Sequence, residues 1–185
     1  MPCVHATDMQ IDPRAPVVAR HQIEIFAPPD KVWDWLSRVD MWPSWRQDVS
    51  SAHWVNGGGA NGIFKWRLRS LFGFTAQVQT WDAEREFSFQ CSSYGSRLLQ
   101  VIRVRGDLKN TSVTSDMSIS GGLVRFPPAR YVIREQLCRS MEIWFGALKT
   151  KLEAGKGDSM RPPRGVHDPF SNNVKLPSER DRLGS

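Results

Sequence analysis

Apolar and polar residues alternate one by one along several short segments in the middle of the chain. Alternation with a period of two is typical of β-strands that bury one face and expose the other. The pattern predicts strands over residues 21–26, 49–55, 63–69, 74–81, 86–92, 97–105 and 111–120. Because these strands are short, closely spaced and polar on one face, we expect a seven-stranded antiparallel sheet with one face toward solvent.

Two short helices are predicted between the first and second strands. Pro29 stands at a position where a helix start tolerates proline, and Asp30 follows in the first turn, where a negative charge is favourable. Apolar residues at helical spacing extend this helix to residue 39. A second short helix is expected over residues 41–46, because Pro43 lies close to its start.

The period of the pattern becomes helical after Gly121 and Gly122. Pro127 and Pro128 mark the start of the new element. Apolar positions then recur every three or four residues as far as Gly155, which we expect to end one long amphipathic helix. The buried stripe of this helix is predicted to comprise Tyr131, Arg134, Leu137, Cys138, Met141, Trp144, Phe145, Leu148 and Leu152.

The order of elements predicts an α+β domain over residues 20–154. A sheet with one polar face must bury its other face, and the long helix is the element available to cover it. Residues 1–19 are interpreted as a flexible arm. Residues 155–185 are rich in proline and poor in large apolar side chains, so this tail is either disordered or laid over the domain as a strap.

Composition limits the class of protein. The chain has 185 residues, 40% of them hydrophobic, which suits one ordinary domain with a core. Its net charge is +6, but acidic residues are interspersed with the basic ones, so nucleic-acid binding is not expected. No apolar stretch is long enough to span a membrane, and residues 1–20 lack the apolar segment of a signal peptide. Three cysteines without a CxxC pair suit a reducing compartment, so we expect a cytoplasmic protein.

Four segments together are similar to a known family. They are IEIFAPPDKVWDWL at 23–36, DMWPSW at 40–45, GIFKW at 62–66 and the end of the long helix at 144–153. Over residues 20–154 they resemble the polyketide cyclase/dehydrase and lipid-transport family of the START-like (SRPBCC) superfamily. The resemblance implies the helix-grip fold, in which the seven-stranded sheet wraps around the long C-terminal helix and the two enclose a deep apolar cavity. The same scaffold serves cyclases, hydratases, carriers and receptors, so it selects no single activity.

The inward positions of the strands and the long helix supply the expected ligand contacts, because an apolar pocket with a few polar groups is the usual form of a small-molecule site. The predicted substrate-binding residues are Phe64, Trp66, Phe74, Phe87, Phe89, Gln100, Ile102, Ser115, Met117, Leu137, Met141 and Trp144. The alternative is that these side chains fill a solid core. The tryptophans of the short helices are interpreted as structural: Trp33, Trp35, Trp42 and Trp45.

Polar groups on inward positions are the candidates for chemistry. Gln100 and Ser115 fall on inward strand positions, where burial costs free energy unless they are paired. Arg134 falls on the inward stripe of the long helix, and its guanidinium suits a carboxylate, phenolate or enolate. The alternative is an arginine at the cavity mouth that reaches solvent or an acidic partner. Arg134 and Tyr94, which lies near the strand ends, are the predicted catalytic residues.

Few other groups suit acid–base or metal chemistry. Asp116 and Glu86 fall on outward positions, and His53 faces an undetermined side of its strand. The glycines of residues 57–62 lack the GK[ST] sequence that binds phosphates, so they predict a hairpin connection. No Cys/His or carboxylate cluster has metal-ligand spacing, so neither a metal nor another cofactor is predicted.

Two functions stay open. The first is a cyclase or dehydratase that folds a polyketide-like substrate by the shape of its site, with proton transfer assisted by Arg134, Tyr94 and water. The second is a non-catalytic carrier or sensor of a lipid, quinone or secondary metabolite. Both require a hydrophobic or aromatic small-molecule ligand, and a monomer or homodimer is compatible with either. A third, less supported, is protein or nucleic-acid binding by the basic outer face of the sheet.

Overall fold

The computed structural model describes residues 11–70, 73–93 and 95–159. Within these residues the strands form one antiparallel seven-stranded sheet of order β1-β7-β6-β5-β4-β3-β2. The strands are β1 Val17–Ile25, β2 Val49–Trp54, β3 Ile63–Leu68, β4 Gly73–Asp82, β5 Glu86–Ser93, β6 Ser96–Gly106 and β7 Thr111–Gly121. Because β1 and β2 lie at opposite edges, the segment between them must cross the sheet.

Short helices occupy this crossing segment, as predicted. They are α1 Pro29–Ser37, a 3₁₀ turn Val39–Met41 and α2 Trp42–Trp45. A 3₁₀ turn, Gly122–Arg125, and the long helix α3, Pro127–Ser159, follow β7. Pro29 and Asp30 lie in the first turn of α1, where both residue types are favourable. The predicted α+β helix-grip architecture is confirmed.

Two predicted element boundaries differ from the structure by about four residues, and α1 ends at Ser37 instead of continuing to residue 39. β1 begins at Val17 and not at residue 21, because its first residues pair with the far end of β7. α3 continues through Gly155 to Ser159, since a glycine costs a helix only about 1 kcal/mol relative to alanine. Parts of the predicted arm and tail lie outside the described residues: 1–10 and 160–185.

Polar contacts near the C-terminal end of α3 hold the helix against β1. Nζ of Lys149 donates to the backbone oxygen of Glu24 at 2.8 Å, and the backbone N–H of Phe26 donates to Oε1 of Glu153 at 3.0 Å. Lys149 also lies over the ring of Phe26. The face of α3 that these contacts turn toward the sheet is buried: Met141, Trp144, Phe145 and Leu148.

The first turns of α3 bury Ile133 beside the predicted Leu137, in place of Tyr131 and Arg134. Ile133 and Leu137 pack there against apolar residues of β1, β7 and the 3₁₀ turn after β7. Tyr131 is 74% exposed, and Arg134 is exposed too. The predicted inward orientation of these two residues is therefore wrong, because Arg134 lies about 100° further round the helix than Ile133.

The outer face of the sheet is less solvated than its polar sequence indicates. Asp116 and Glu86 lie on this face, as predicted, but only 3% and 7% of their surface is exposed. Asp116 accepts hydrogen bonds from Arg20 and Arg103, and Arg103 also donates to Glu86. The hydrogen bond to Asp116 and the attraction between the two charges raise the pKa of Arg20. A paired network therefore replaces the solvated charges expected here.

The glycine-rich segment after β2 is a hairpin connection to β3, as predicted. Gly57, Gly58 and Gly59 all have positive φ, a conformation that glycine adopts without steric cost. Gly62 lies so close to the ring of Trp54 that a Cβ atom there would be 2.7 Å from it. The hairpin is therefore shaped around one tryptophan of β2.

Candidate functional site

The inner face of the sheet carries a continuous cluster of aromatic rings. The centroid of the Phe64 ring is 5.4 Å from that of Trp66 and 5.1 Å from that of Phe89. Among the predicted substrate-binding residues the buried ones are Phe64, Phe87, Phe89, Gln100, Ile102, Ser115, Met117, Met141 and Trp144. The half-buried ones, packed against the same core, are Trp66, Phe74 and Leu137. The structure thus brings this whole set into the interior between sheet and helix, and their role in binding stays a prediction.

Trp42 joins the short helices to this aromatic cluster. Its ring centroid lies 5.5 Å from Phe64, 6.2 Å from Trp66 and 5.7 Å from Trp144. Its Nε1 donates to the backbone oxygen of Leu36 at 3.1 Å, so the buried indole N–H has an acceptor. Residues of α1, α2, β3 and α3 therefore meet at one side chain.

Trp66 and Phe74 form the accessible end of the aromatic cluster. Their rings are stacked with centroids 4.8 Å apart and planes 18° apart, and both side chains are half-buried. A surface cavity of about 330 Å³ beside them is lined mainly by outward-facing residues, among them His53, Lys65 and Arg67, so it lies on the outer face of the sheet. Deeper in, buried rings pack against one another where the resemblance implies a cavity. A ligand that approaches from this end would meet Trp66 and Phe74 first.

Three polar residues lie together on the inner face, across β1, β7 and β6. Nε2 of Gln100 donates to Oγ of Ser115 at 3.0 Å, and both residues are buried. His21 pairs with Ser115 across β1 and β7, and its ring stacks on Phe145 at 5.6 Å between centroids. The predicted strand over residues 21–26 starts at His21, and no role is predicted for this residue. The signal was present, because His21 alternates in phase with the apolar residues of β1.

Arg46 is a buried cation that the sequence analysis did not single out. It directly follows α2, is 6% exposed, and donates from Nε and Nη2 to the two carboxylate oxygens of Asp48, at 3.1 and 2.7 Å. Its Cζ lies 4.3 Å from the centroid of the Trp144 ring and 5.2 Å from that of Trp42. Burial lowers the pKa of the guanidinium, while the hydrogen bonds and charge of Asp48 act in the opposite direction. The sequence carries no local signal for the burial of this residue, because α2 has only four residues and shows no helical period.

Of the two predicted catalytic residues, Arg134 does not join this group. Arg134 lies in a shallow groove of about 350 Å³ along α3, together with Glu135, Cys138 and Glu142. Tyr94 lies outside the described residues. His53, whose side was undetermined, is exposed and pairs with Lys65 on the outer face. The catalytic role of Arg134 and Tyr94 therefore stays a prediction.

The described ranges contain no group of three His, Cys, Asp or Glu side chains placed to hold a metal ion. In the same part of the chain, every helix is too short or too polar to cross a membrane. The polar chemistry near the aromatic cluster therefore comes from individual side chains, of which His21, Arg46, Gln100 and Ser115 are buried or half-buried.

A seven-stranded antiparallel sheet closed by a long C-terminal helix, with an aromatic inner face, defines a helix-grip protein of the START-like class. The chain belongs to the family described as polyketide cyclase / dehydrase and lipid transport, whose model matches residues 16–153. The resemblance seen in the sequence is thereby confirmed. No curated protein matches the chain.

Solved structures share the fold at low sequence identity. The Zhui aromatase/cyclase from Streptomyces sp. R1128 is 14% identical with a TM-score of 0.67, and the match covers 80% of this chain and 98% of that one. A START superfamily protein from Mycobacterium smegmatis is 12% identical with a TM-score of 0.63, and the match covers 74% and 97% of the two chains. At these identities the similarity establishes the fold alone.

Proposed function

We propose that the protein binds a hydrophobic or aromatic small molecule against the inner face of its sheet. The observation that carries this proposal is the aromatic cluster, which runs from the half-buried stack of Trp66 and Phe74 to the buried ring of Trp144. Rings of this kind offer large apolar surfaces and favour offset or edge contacts with other rings. A planar, unsaturated ligand would therefore match the surface better than a flexible alkyl chain.

Catalysis of the cyclase or dehydratase kind is the activity that we assign to this site. The family match and the aromatase/cyclase neighbour support it. Cyclisation needs a folded substrate and a group that moves a proton, and His21 is the imidazole on the inner face beside Ser115 and Gln100. In this proposal the rings set the substrate conformation, and His21 exchanges the proton.

A non-catalytic carrier or sensor is the second candidate. The observation that favours it is the absence of Asp and Glu from the inward strand positions within the described ranges. With one imidazole and no carboxylate beside it, the inner face has few groups for acid–base catalysis. Binding by shape needs none of them.

Native mass spectrometry of freshly purified protein distinguishes these functions. A bound metabolite whose mass changes on incubation supports catalysis, and one that persists unchanged supports a carrier. His21→Gln should abolish the conversion and leave binding in place, whereas the matched control His53→Gln, on the outer face, should change neither. If no hydrophobic or aromatic ligand binds to the protein at all, the proposed function is wrong.

The role proposed for Arg134 is to bind an acidic group of the ligand from the exposed side of α3, outside the aromatic cluster. If a ligand carries an acidic group that reaches it, Arg134→Met should weaken binding about tenfold, which corresponds to about 1.4 kcal/mol. An unchanged dissociation constant removes Arg134 from the site.

A further inference from the structure

Two buried tryptophans carry indole N–H groups that have no acceptor. Trp45 at the end of α2 and Trp144 on α3 are 6% and 3% exposed, and neither Nε1 donates a hydrogen bond to any described residue. Their rings are near-parallel, with planes 27° apart and centroids 6.5 Å apart. The two unpaired donors therefore belong to neighbouring side chains.

Leaving such a donor unpaired is costly. A buried polar group without a partner costs about 1–3 kcal/mol, and a tryptophan N–H can only donate. The neighbouring Trp42 avoids the cost through the backbone oxygen of Leu36. An acceptor that comes from outside the chain would satisfy Trp45 and Trp144 in the same way.

Arg46 adds a cationic donor to the same place. Its guanidinium lies over the Trp144 ring and uses Nε and Nη2 for Asp48, while Nη1 donates to no residue in the described part of the chain. Asp48 balances the charge, so a neutral acceptor is tolerated as well as an anionic one. The group formed by Trp45, Arg46 and Trp144 thus places three side-chain donors side by side.

We propose that Trp45, Arg46 and Trp144 form a donor anchor that binds an oxygen acceptor of the ligand, a ketone carbonyl or a phenolic oxygen on an aromatic ring. This inference rests on the proposed function and specifies the ligand class. Trp42 connects the anchor to the accessible stack, because its ring contacts both Trp144 and Trp66. The ligand's ring system lies on the aromatic cluster, and its oxygen points toward the anchor.

A matched pair of probes tests the donor anchor. Naphthalene and 2-naphthol have the same ring system and differ in one oxygen, so calorimetric dissociation constants for the two isolate the effect of the acceptor. We expect 2-naphthol to bind at least about tenfold more tightly than naphthalene, since a hydrogen bond to otherwise unpaired buried donors is worth about 1–3 kcal/mol. Trp45→Phe and Trp144→Phe should each reduce this preference several-fold, and the ratio of the two dissociation constants corrects for any change in binding of the ring system that both probes share.

Trp33→Phe is the control variant. Trp33 is another buried indole, but it packs edge-on against Trp81, away from Arg46, so the preference for 2-naphthol should survive in this variant. In the unmodified protein, two indole N–H resonances should move further downfield in NMR spectra with 2-naphthol than with naphthalene, because both probes exert a ring current and only 2-naphthol offers an acceptor. This measurement uses the unmodified protein, so it does not depend on whether a variant folds.

The outcomes separate the two proposals. Equal affinity for both probes, or a preference unchanged in Trp45→Phe and Trp144→Phe, overturns the anchor and leaves the proposed function standing. Indole resonances that move no further with 2-naphthol than with naphthalene show that the donors bind water only, which also overturns it. Failure of both probes to bind contradicts the proposed function and the anchor together.

Discussion

Gln100 donates from Nε2 to the hydroxyl of Ser115, 3.0 Å away, across β6 and β7 on the inner face of the sheet. Both side chains are buried, with 3% and 0% of their surface exposed. Each polar group thereby replaces part of the hydrogen bonding to water that the other loses on burial. The pair explains how two polar residues occupy apolar positions, and it makes their energetic contributions interdependent.

Ser115→Ala should lower the free energy of unfolding by about 1–3 kcal/mol, because the Gln100 amide keeps its place and loses its acceptor. The double variant Gln100→Leu/Ser115→Ala should recover part of this loss, since both polar groups are then gone. Urea denaturation of the four proteins in the cycle measures the coupling. Ser112→Ala, which removes an exposed hydrogen bond to Gln22, is the control and should cost less than about 0.5 kcal/mol. Additive effects of the two substitutions would contradict the coupling.

Asp48→Ala should destabilise the protein more than Arg46→Met does. Removal of Asp48 leaves the buried guanidinium without its carboxylate, which should cost about 2 kcal/mol, because Asp48 is itself partly exposed. Arg46→Met removes the charge but keeps a long apolar side chain against Trp144, so a loss of about 1 kcal/mol is expected. Thermal and urea unfolding compare the two variants.

Asp34→Ala is the matched control for this comparison. Asp34 pairs with Arg38 at 3.4 Å, and both side chains are more than half exposed, so its removal should cost less than about 0.5 kcal/mol. If Asp48→Ala is as mild as Asp34→Ala, the pairing of Arg46 is not required for its burial.

The strand pattern was predictable because a sheet with one apolar face repeats every two residues, and the alternation around Phe64 and Phe87 is unbroken. The stripe of α3 was less well determined. Apolar residues occur on two neighbouring stripes, and contact with β1 and β7 selects the one that contains Ile133 instead of Arg134. Tertiary contacts of this kind leave no local signal.

The polar part of the candidate site was harder to predict for the same reason. Arg46 lies just beyond a helix of four residues, too short to show a periodicity that would place its side chain inside. His21 was predictable in principle, but the predicted first strand starts at this residue, so the alternation before it does not assign its side. His21 reaches the interior through the pairing of β1 with β7, and Arg46 lies against the Trp144 ring of α3, so both placements depend on distant parts of the chain.

Trp42→Ala should destabilise the protein by about 3–5 kcal/mol, as loss of a large buried aromatic side chain does. Trp42 is 0% exposed, contacts rings of β3, β5 and α3, and satisfies its N–H at Leu36. Trp35→Ala is the control, because Trp35 is partly exposed on α1. Differential scanning calorimetry should show a much larger fall in Tm for Trp42→Ala. Equal falls would mean that Trp42 does not join the helices to the sheet as described.

Cys91 should make the protein less stable at alkaline pH. It lies on β5 between Ala76 and Leu98, and burial raises the pKa of its thiol from 9.0 to about 12. The unfolded chain therefore loses this proton at lower pH than the folded chain, so stability falls as pH rises between these values and is unaffected below them. At about pH 10.5 the thiol should lower the free energy of unfolding by about 2 kcal/mol relative to about pH 8.

Cys91→Ala isolates this contribution from lysines and tyrosines that titrate in the same range. Urea denaturation of both proteins at the two pH values should show a steeper decline for the unmodified protein, by the amount given above. The half-buried thiol of Cys138 provides an internal comparison, because it should react with a thiol reagent in the folded protein at rates that Cys91 does not approach. Parallel pH profiles for the two proteins, or rapid labelling of Cys91, would mean that the thiol is not isolated from solvent on the inner face.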